Sequence, residues 1–248
     1  MTFGDHNQAN LIMERTFGGK HFMIPSIAGR NQPKIDCMFF PATKGDKVVI
    51  EPTMTSNSEE DDLKEEIYDL STRKYLDKST IIMCNPNALI YQWMITSVNA
   101  YWLDFFLRRD ANVFIWNYRG YGDSEQSMFS PNHDPNQQRV DVERVLQFLV
   151  NKIRVKGSIG VYGRSIGGIP ASHLLNKFPN LIKVYIGDRT MGNFDDFVQN
   201  RYPGGSKYVL KLYKIGSCRW RVDNAAGLCT ADTCFKIICA DPNDDMVD

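Results

Sequence analysis

Apolar residues along this chain fall into two patterns, and the change from one to the other divides it. Over residues 1–50 they come in short pieces punctuated by glycine and proline: His21-Phe22-Met23-Ile24, Ile35-Asp36-Cys37-Met38-Phe39-Phe40 and Val48-Val49-Ile50. Such bounded, β-prone runs predict antiparallel strands that open a sheet. From residue 80 short apolar runs alternate with stretches of helical period. Ile81–Cys84, Val113–Trp116, Ile159–Tyr162, Lys183–Ile186 and Phe235–Cys239 read as buried strands. Met94, Val98, Trp102 and Phe105 mark one face of a helix after the first of them. Val142, Val145, Leu146, Leu149 and Ile153 mark one face of another. This alternation predicts an α/β protein with a mostly parallel central sheet and helices on both faces. Ligands in such sheets sit at the carboxyl ends of the strands.

Two segments depart from the alternation. Residues 51–79, with SNSEEDDLKEE at their heart, read as a solvated acidic insertion. Residues 189–234 are aromatic (Phe194, Phe197, Tyr202, Tyr208) and basic (Arg201, Lys207, Lys211). A helix and loops with solvated charges account for that mixture. A lid over a pocket for an acyl chain with an anionic head group is the sharper reading. Residues 1–248 otherwise suit a single domain, with no internal repeat.

Charge and cysteine content narrow the function classes. The 29 basic and 29 acidic residues balance, so no nucleic-acid partner is expected. The first twelve residues lack the basic-then-apolar order of a signal peptide, and no apolar run approaches the roughly 20 residues of a transmembrane segment. Six scattered cysteines form no C-x-x-C pair, which predicts a reducing, cytoplasmic compartment without a bound metal or cofactor.

The chemistry is concentrated in VKGSIGVYGRSIGGIP, residues 155–170. A buried strand leads into Gly163-Arg164-Ser165-Ile166-Gly167 and a helical pattern follows at once, which is G-x-S-x-G in its meaningful setting. Chance produces the motif in about one of 3,000 windows, so the flanking strand and helix decide its interpretation. The sharp turn predicts a strained backbone at Ser165 and glycine two places either side, where side chains would collide. GRSIGG lacks the Gly-Lys-Ser/Thr ending of a phosphate loop. A serine nucleophile needs a base, a group that orients the base, and N–H donors for the oxyanion. The Ile166 N–H is one donor, and the loop Asn85-Pro86-Asn87-Ala88 is the expected source of the second.

Together these segments resemble the α/β-hydrolase superfamily, in its branch of serine-aminopeptidase-like and acyl-thioesterase-like abhydrolase proteins. GRSIGG at 163–168, NYRGYGDS at 117–124, and NPNA at 85–88 in the place of that branch's HGNA carry the match, with Asp188-Arg189-Thr190 beside them. The resemblance spans roughly residues 16–248. It implies Ser165 as nucleophile, Asn87 and Ile166 as oxyanion donors, and cleavage of a small acyl substrate (ester, thioester or small amide) without a cofactor. It also implies an acid after the fold's penultimate strand, here Phe235–Cys239, at Asp244, with Asp188, Asp241 and Asp245 as alternatives. Arg119 in NYRGYGDS reads as the anchor of a structural turn or as a direct participant.

The base is the weak point. In this superfamily it follows the acid, and the sequence stops at Asp248. His6 and His21 precede the central strands, and His173 lies eight residues beyond Ser165, about 12 Å along one helix. His133, in a polar loop, is the remaining stand-in. The expectation is a fold short of its last strand and helix, with Phe235–Cys239 as an edge that a protein partner covers. A catalytically inactive domain used for binding or assembly is the alternative to a serine hydrolase.

Overall fold

The strand runs assemble side by side into one sheet. In the computed structural model, residues 6–27, 32–42, 74–96, 101–126, 134–202, 204–216, 222–225, 228 and 232–241 are described. Among them are seven strands: β1 (Lys20–Ile24), β2 (Ile35–Phe40), β3 (Thr80–Cys84), β4 (Asn112–Trp116), β5 (Ile159–Arg164), β6 (Ile182–Asp188) and β7 (Phe235–Cys239). Their order is β1-β2-β4-β3-β5-β6-β7. The β1–β2 and β2–β4 pairs are antiparallel and every later pair is parallel. Every position of β2, β3 and β4 is buried. That explains why they read as continuous apolar runs rather than alternating ones.

Helices cover both faces. On one side α1 (His6–Phe17), α2 (Tyr91–Thr96) and α3 (Tyr101–Leu107) pack Met13, Met94 and Phe106 against Met38, Met83 and Ile115. On the other side α4 (Pro135–Phe148) and α5 (Gly168–Lys177) pack Val145, Ile169 and Leu174 against Phe39, Phe114 and Val161. Asp134 caps α4 by accepting the Asn136 N–H at 2.9 Å, with Pro135 in the first turn, where its missing N–H costs nothing. α6 (Phe194–Arg201) and α7 (Ser206–Gly216) follow β6, and Phe194 and Val198 reach the core. No helix among the described residues is long and apolar enough to cross a membrane.

The structure corrects three sequence expectations. The run from Met94 to Phe105 forms two helices, not one continuous face; Val98 lies outside the described residues. The second helix turns Leu103, Phe106 and Leu107 inward, while Phe105 is exposed under the Arg109 guanidinium, 3.7 Å from its ring centre. α1 was not foreseen, because its apolar side is thin: of its residues Met13 is fully buried while Leu11 and Ile12 are exposed. The end of the expected insertion is not solvated. Lys74–Asp77 form a short 3-10 turn that buries Tyr75 and Leu76, with their carbonyls accepting from Asn112 Nδ2 and the Lys156 N–H, each at 2.8 Å. Residues 51–73 and Val48-Val49-Ile50 lie outside the described residues.

Among the described residues β7 pairs only with β6, and Phe235 and Ile238 are exposed on it.

Candidate active site

Ser165 occupies the bend where β5 ends and a 3-10 turn, Ser165–Gly167, leads into α5. Its φ is +53°, in the left-handed region that a side chain enters at a cost of about 1–3 kcal/mol. The flanking glycines explain how the bend closes. A Cβ on Gly163 would stand 2.4 Å from the Gly167 carbonyl oxygen, and one on Gly167 would stand 2.2 Å from the Cys84 carbonyl oxygen. The second contact shows that the bend is pressed against the end of β3, where the Asn85 loop begins. Ser165 is half-buried and Ile166 is buried. The strained serine and the tight glycines inferred from the sequence are thus both present.

The strand register places the neighbouring loop beside it. Cys84 pairs with Gly163 on one side and Trp116 on the other, so Asn85–Ala88 leaves the carboxyl edge between the Ser165 turn and the Asn117 loop. Asn87 is exposed; its Oδ1 accepts the Ala88 N–H at 2.9 Å and the Tyr121 hydroxyl at 3.4 Å. Ala88 is left-handed, φ 59°. Pro86, which has no N–H to give, is buried.

The remaining acids and bases are placed as follows. Asp188, at the end of β6, is buried and accepts the Tyr162 hydroxyl at 2.6 Å and Arg189 Nε at 3.0 Å. Burial and this bond to Asp188 push the Tyr162 hydroxyl pKa well up. Asp241 is half-buried just after β7, and Asp244, Asp245 and His133 lie outside the described residues. His173 is bonded to Glu143 of α4 at 2.7 Å. His6 faces Asp123 at 3.5 Å, and His21 on β1, with three strands between it and β5, is bonded to Asp36 at 2.9 Å. Arg119 forms a buried pair with Asp141 of α4, which makes it the anchor of its turn.

A polar network behind the Asn85 loop was not foreseen. Asp36 is fully buried, and its carboxylate accepts from His21, Tyr91 Oη (2.6 Å), Gln92 Nε2 (3.0 Å), Asn117 Nδ2 (2.8 Å) and the Asp123 N–H (3.2 Å). Burial works to raise this carboxyl, but the His21 hydrogen bond and charge, with the bonds from Tyr91 and Gln92, hold it below the ordinary value. The same pairing lifts His21 above its ordinary value against the effect of burial. One ligand atom each from His21, Asp36 and Asp123 lie within 4.8 Å of one another, spacing that could hold a metal ion. Both Asp36 oxygens are already engaged by hydrogen-bond donors, so the chemistry of the trio is that of a hydrogen-bonded hub. The signal in the sequence was a charged residue inside the otherwise apolar run I-D-C-M-F-F.

No protein-family model matches the chain. It is similar to an uncharacterized membrane protein of Saccharomyces cerevisiae, YNL320W, at 26% identity over 182 residues, covering 72% of this chain and 58% of that protein. It is also similar to Protein bem46 of Schizosaccharomyces pombe, at 32% identity over 111 residues, covering 44% of this chain and 35% of that protein. The chain thus spans under two thirds of the length of the curated relatives it matches. The yeast protein's name overturns the expectation of a cytoplasmic location. Among solved structures, the Pyrococcus furiosus esterase Pf2001 superposes with a TM-score of 0.61 at 14% identity, covering 99% of this chain and 78% of that one. With this sheet order and a strained serine between β5 and α5, the chain has the α/β-hydrolase fold.

Proposed function

We propose that the chain is a serine hydrolase that cleaves a carboxylic ester, thioester or small amide through an acyl-enzyme on Ser165. The observation that carries this reading is the φ of +53° at a half-buried serine between β5 and α5, at the edge where α/β sheets bind ligands. In the first step Ser165 Oγ bonds to the carbonyl carbon and passes its proton to a base. The carbonyl oxygen becomes an oxyanion held by the Ile166 and Asn87 N–H groups. The C–O, C–S or C–N bond then breaks, the leaving group takes the proton, and water releases the acid. Asp244 is the acid of this reading, orienting a histidine base. Residues 189–234 are its lid, and a protein partner covers the apolar β7 edge.

A second reading is favoured by a specific observation. His6 is on α1, His21 stands on β1, four places from β5 in the sheet, and His173 lies eight residues beyond Ser165 on α5 and is held by Glu143, so the described histidines leave the base unfilled. On this reading the domain binds or assembles without turnover. Hydrolysis of p-nitrophenyl esters and acyl-thioesters by the chain and by Ser165→Ala separates the two. The hydrolase reading expects turnover in the first and a loss of about a thousandfold or more in the second. Equal rates in both would overturn it.

A further inference from the structure

We infer that Asp36 and Asn117 are positioning residues that hold the Asn85–Ile90 loop, and with it the Asn87 N–H, at the height of Ser165. The inference rests on the reading of Ser165 as nucleophile and Asn87 as oxyanion donor. It goes further by assigning the parts that hold that donor in place.

The loop is gripped at both ends by one atom. Asn117 Oδ1 accepts the Tyr91 N–H at 2.9 Å, where the loop enters α2, and Asn85 Nδ2 at 3.3 Å, where the loop leaves β3. Asn85 is further fixed by its own bond to the Trp116 carbonyl (2.9 Å) and by the Tyr118 hydroxyl on its carbonyl (2.6 Å). Asn87 and Ala88, between these grips, are exposed, with the Tyr121 hydroxyl against Asn87 Oδ1 at 3.4 Å and against the Ala88 backbone. Their position is therefore inherited from the two ends.

Asn117 can grip both ends only with its amide turned one way. Its oxygen must face two donors, so its nitrogen must face acceptors. Those are Asp36 Oδ2 at 2.8 Å and Gln92 Oε1 at 2.9 Å. A carboxylate at position 36 lets all five of its neighbours donate to it. An amide in its place either sets an NH2 against the Gln92, Asn117 and Asp123 N–H groups or requires the Tyr91 hydroxyl and the His21 ring to accept instead of donate. Asp36, Tyr91 and Gln92 are fully buried and Asn117 nearly so, so water cannot stand in for a lost partner. Asp36 also receives its Asn117 neighbour through the backbone, N–H to O at 2.9 Å, which fixes both on the far side of the Asn85 loop from the serine turn.

The test reads the loop and the serine separately, on the full chain. Amide hydrogen exchange is compared between the chain, Asp36→Asn and the milder Tyr91→Phe, which removes one hydroxyl and keeps the ring. In Asp36→Asn, exchange over residues 85–92 is expected to rise about tenfold or more while α5 keeps its protection. In Tyr91→Phe the rise is expected to be about fivefold, the scale of one hydrogen bond. Should Asp36→Asn lose protection in α5 as well, Tyr91→Phe decides. Fluorophosphonate labelling of Ser165, followed against probe concentration, is expected to show bond formation slowed about tenfold to a hundredfold in Asp36→Asn with probe affinity unchanged. Unlabelled Ser165 in the unaltered chain would count against the nucleophile and leave exchange to judge the loop. Unchanged exchange over 85–92 in both variants would overturn the inference by itself, as would unchanged labelling of Asp36→Asn where the unaltered chain reacts.

Discussion

Arg119 grips Asp141 with two nitrogens, Nε at 2.6 Å and Nη2 at 2.8 Å, and neither side chain is more than 2% exposed. The pair ties the turn after β4 to α4. Arg144 stands 3.5 Å from the same carboxylate and donates to the Pro33 and Pro25 carbonyls, so the tie extends to the segments around β2. Removing Asp141 takes the carboxylate from two buried guanidinium groups. Asp141→Ala is expected to cost about 3–5 kcal/mol, read as a shift of the urea midpoint. A loss below about 1 kcal/mol would show that the pair is dispensable and would reopen the reading of Arg119 as a participant in the chemistry.

The His21–Asp36 pair gives stability a defined pH dependence. His21 titrates higher in the folded chain than in the unfolded one, so the contribution is complete below the unfolded value of about 6.5 and is lost as pH rises through the higher folded value. Asp36 is lowered, so its contribution is present above its unfolded value of about 3.9 and fails as pH falls through the folded one. The stability difference between the chain and His21→Gln is therefore expected to be larger at pH 5.5 than at pH 8.5. Urea unfolding at the two pH values checks it. A difference that grows toward pH 8.5 would contradict the assigned pairing.

Most of the architecture was legible because β2, β3 and β4 are buried at every position and are apolar apart from Asp36, Thr80 and Asn112. The serine turn was legible because its geometry restricts residue type at 163 and 167. What escaped has physical reasons. α1 presents too narrow an apolar side to show a period, and Tyr75 and Leu76 enter the core from the end of an acidic stretch whose composition concealed them. The Asp36 hub joins residues far apart in sequence, 36 with 91, 92 and 117, and hydrogen bonds of that kind leave no periodic trace. Asp244 was reached through family resemblance, not through residue pattern.

Asp188 and Asp244 are separated by what each substitution should disturb. Asp188 is engaged by Tyr162 and Arg189 and stands 3.8 Å from Arg164, so Asp188→Asn is expected to lower stability and to leave ester turnover within about threefold per enzyme molecule. Asp244→Asn is expected to lower turnover by up to about ten-thousandfold with little change in the unfolding midpoint. The reverse assignment of effects would make Asp188 the orienting acid.

The account stands on an activated oxygen at residue 165, and the most direct measurement is covalent capture of that oxygen. The chain and Ser165→Ala are incubated with a fluorophosphonate and the labelled peptide is identified by mass. The account predicts one adduct, on Ser165 within the peptide that ends β5, and none on the alanine variant. Equal labelling of the two proteins, or no labelling of either, would contradict it.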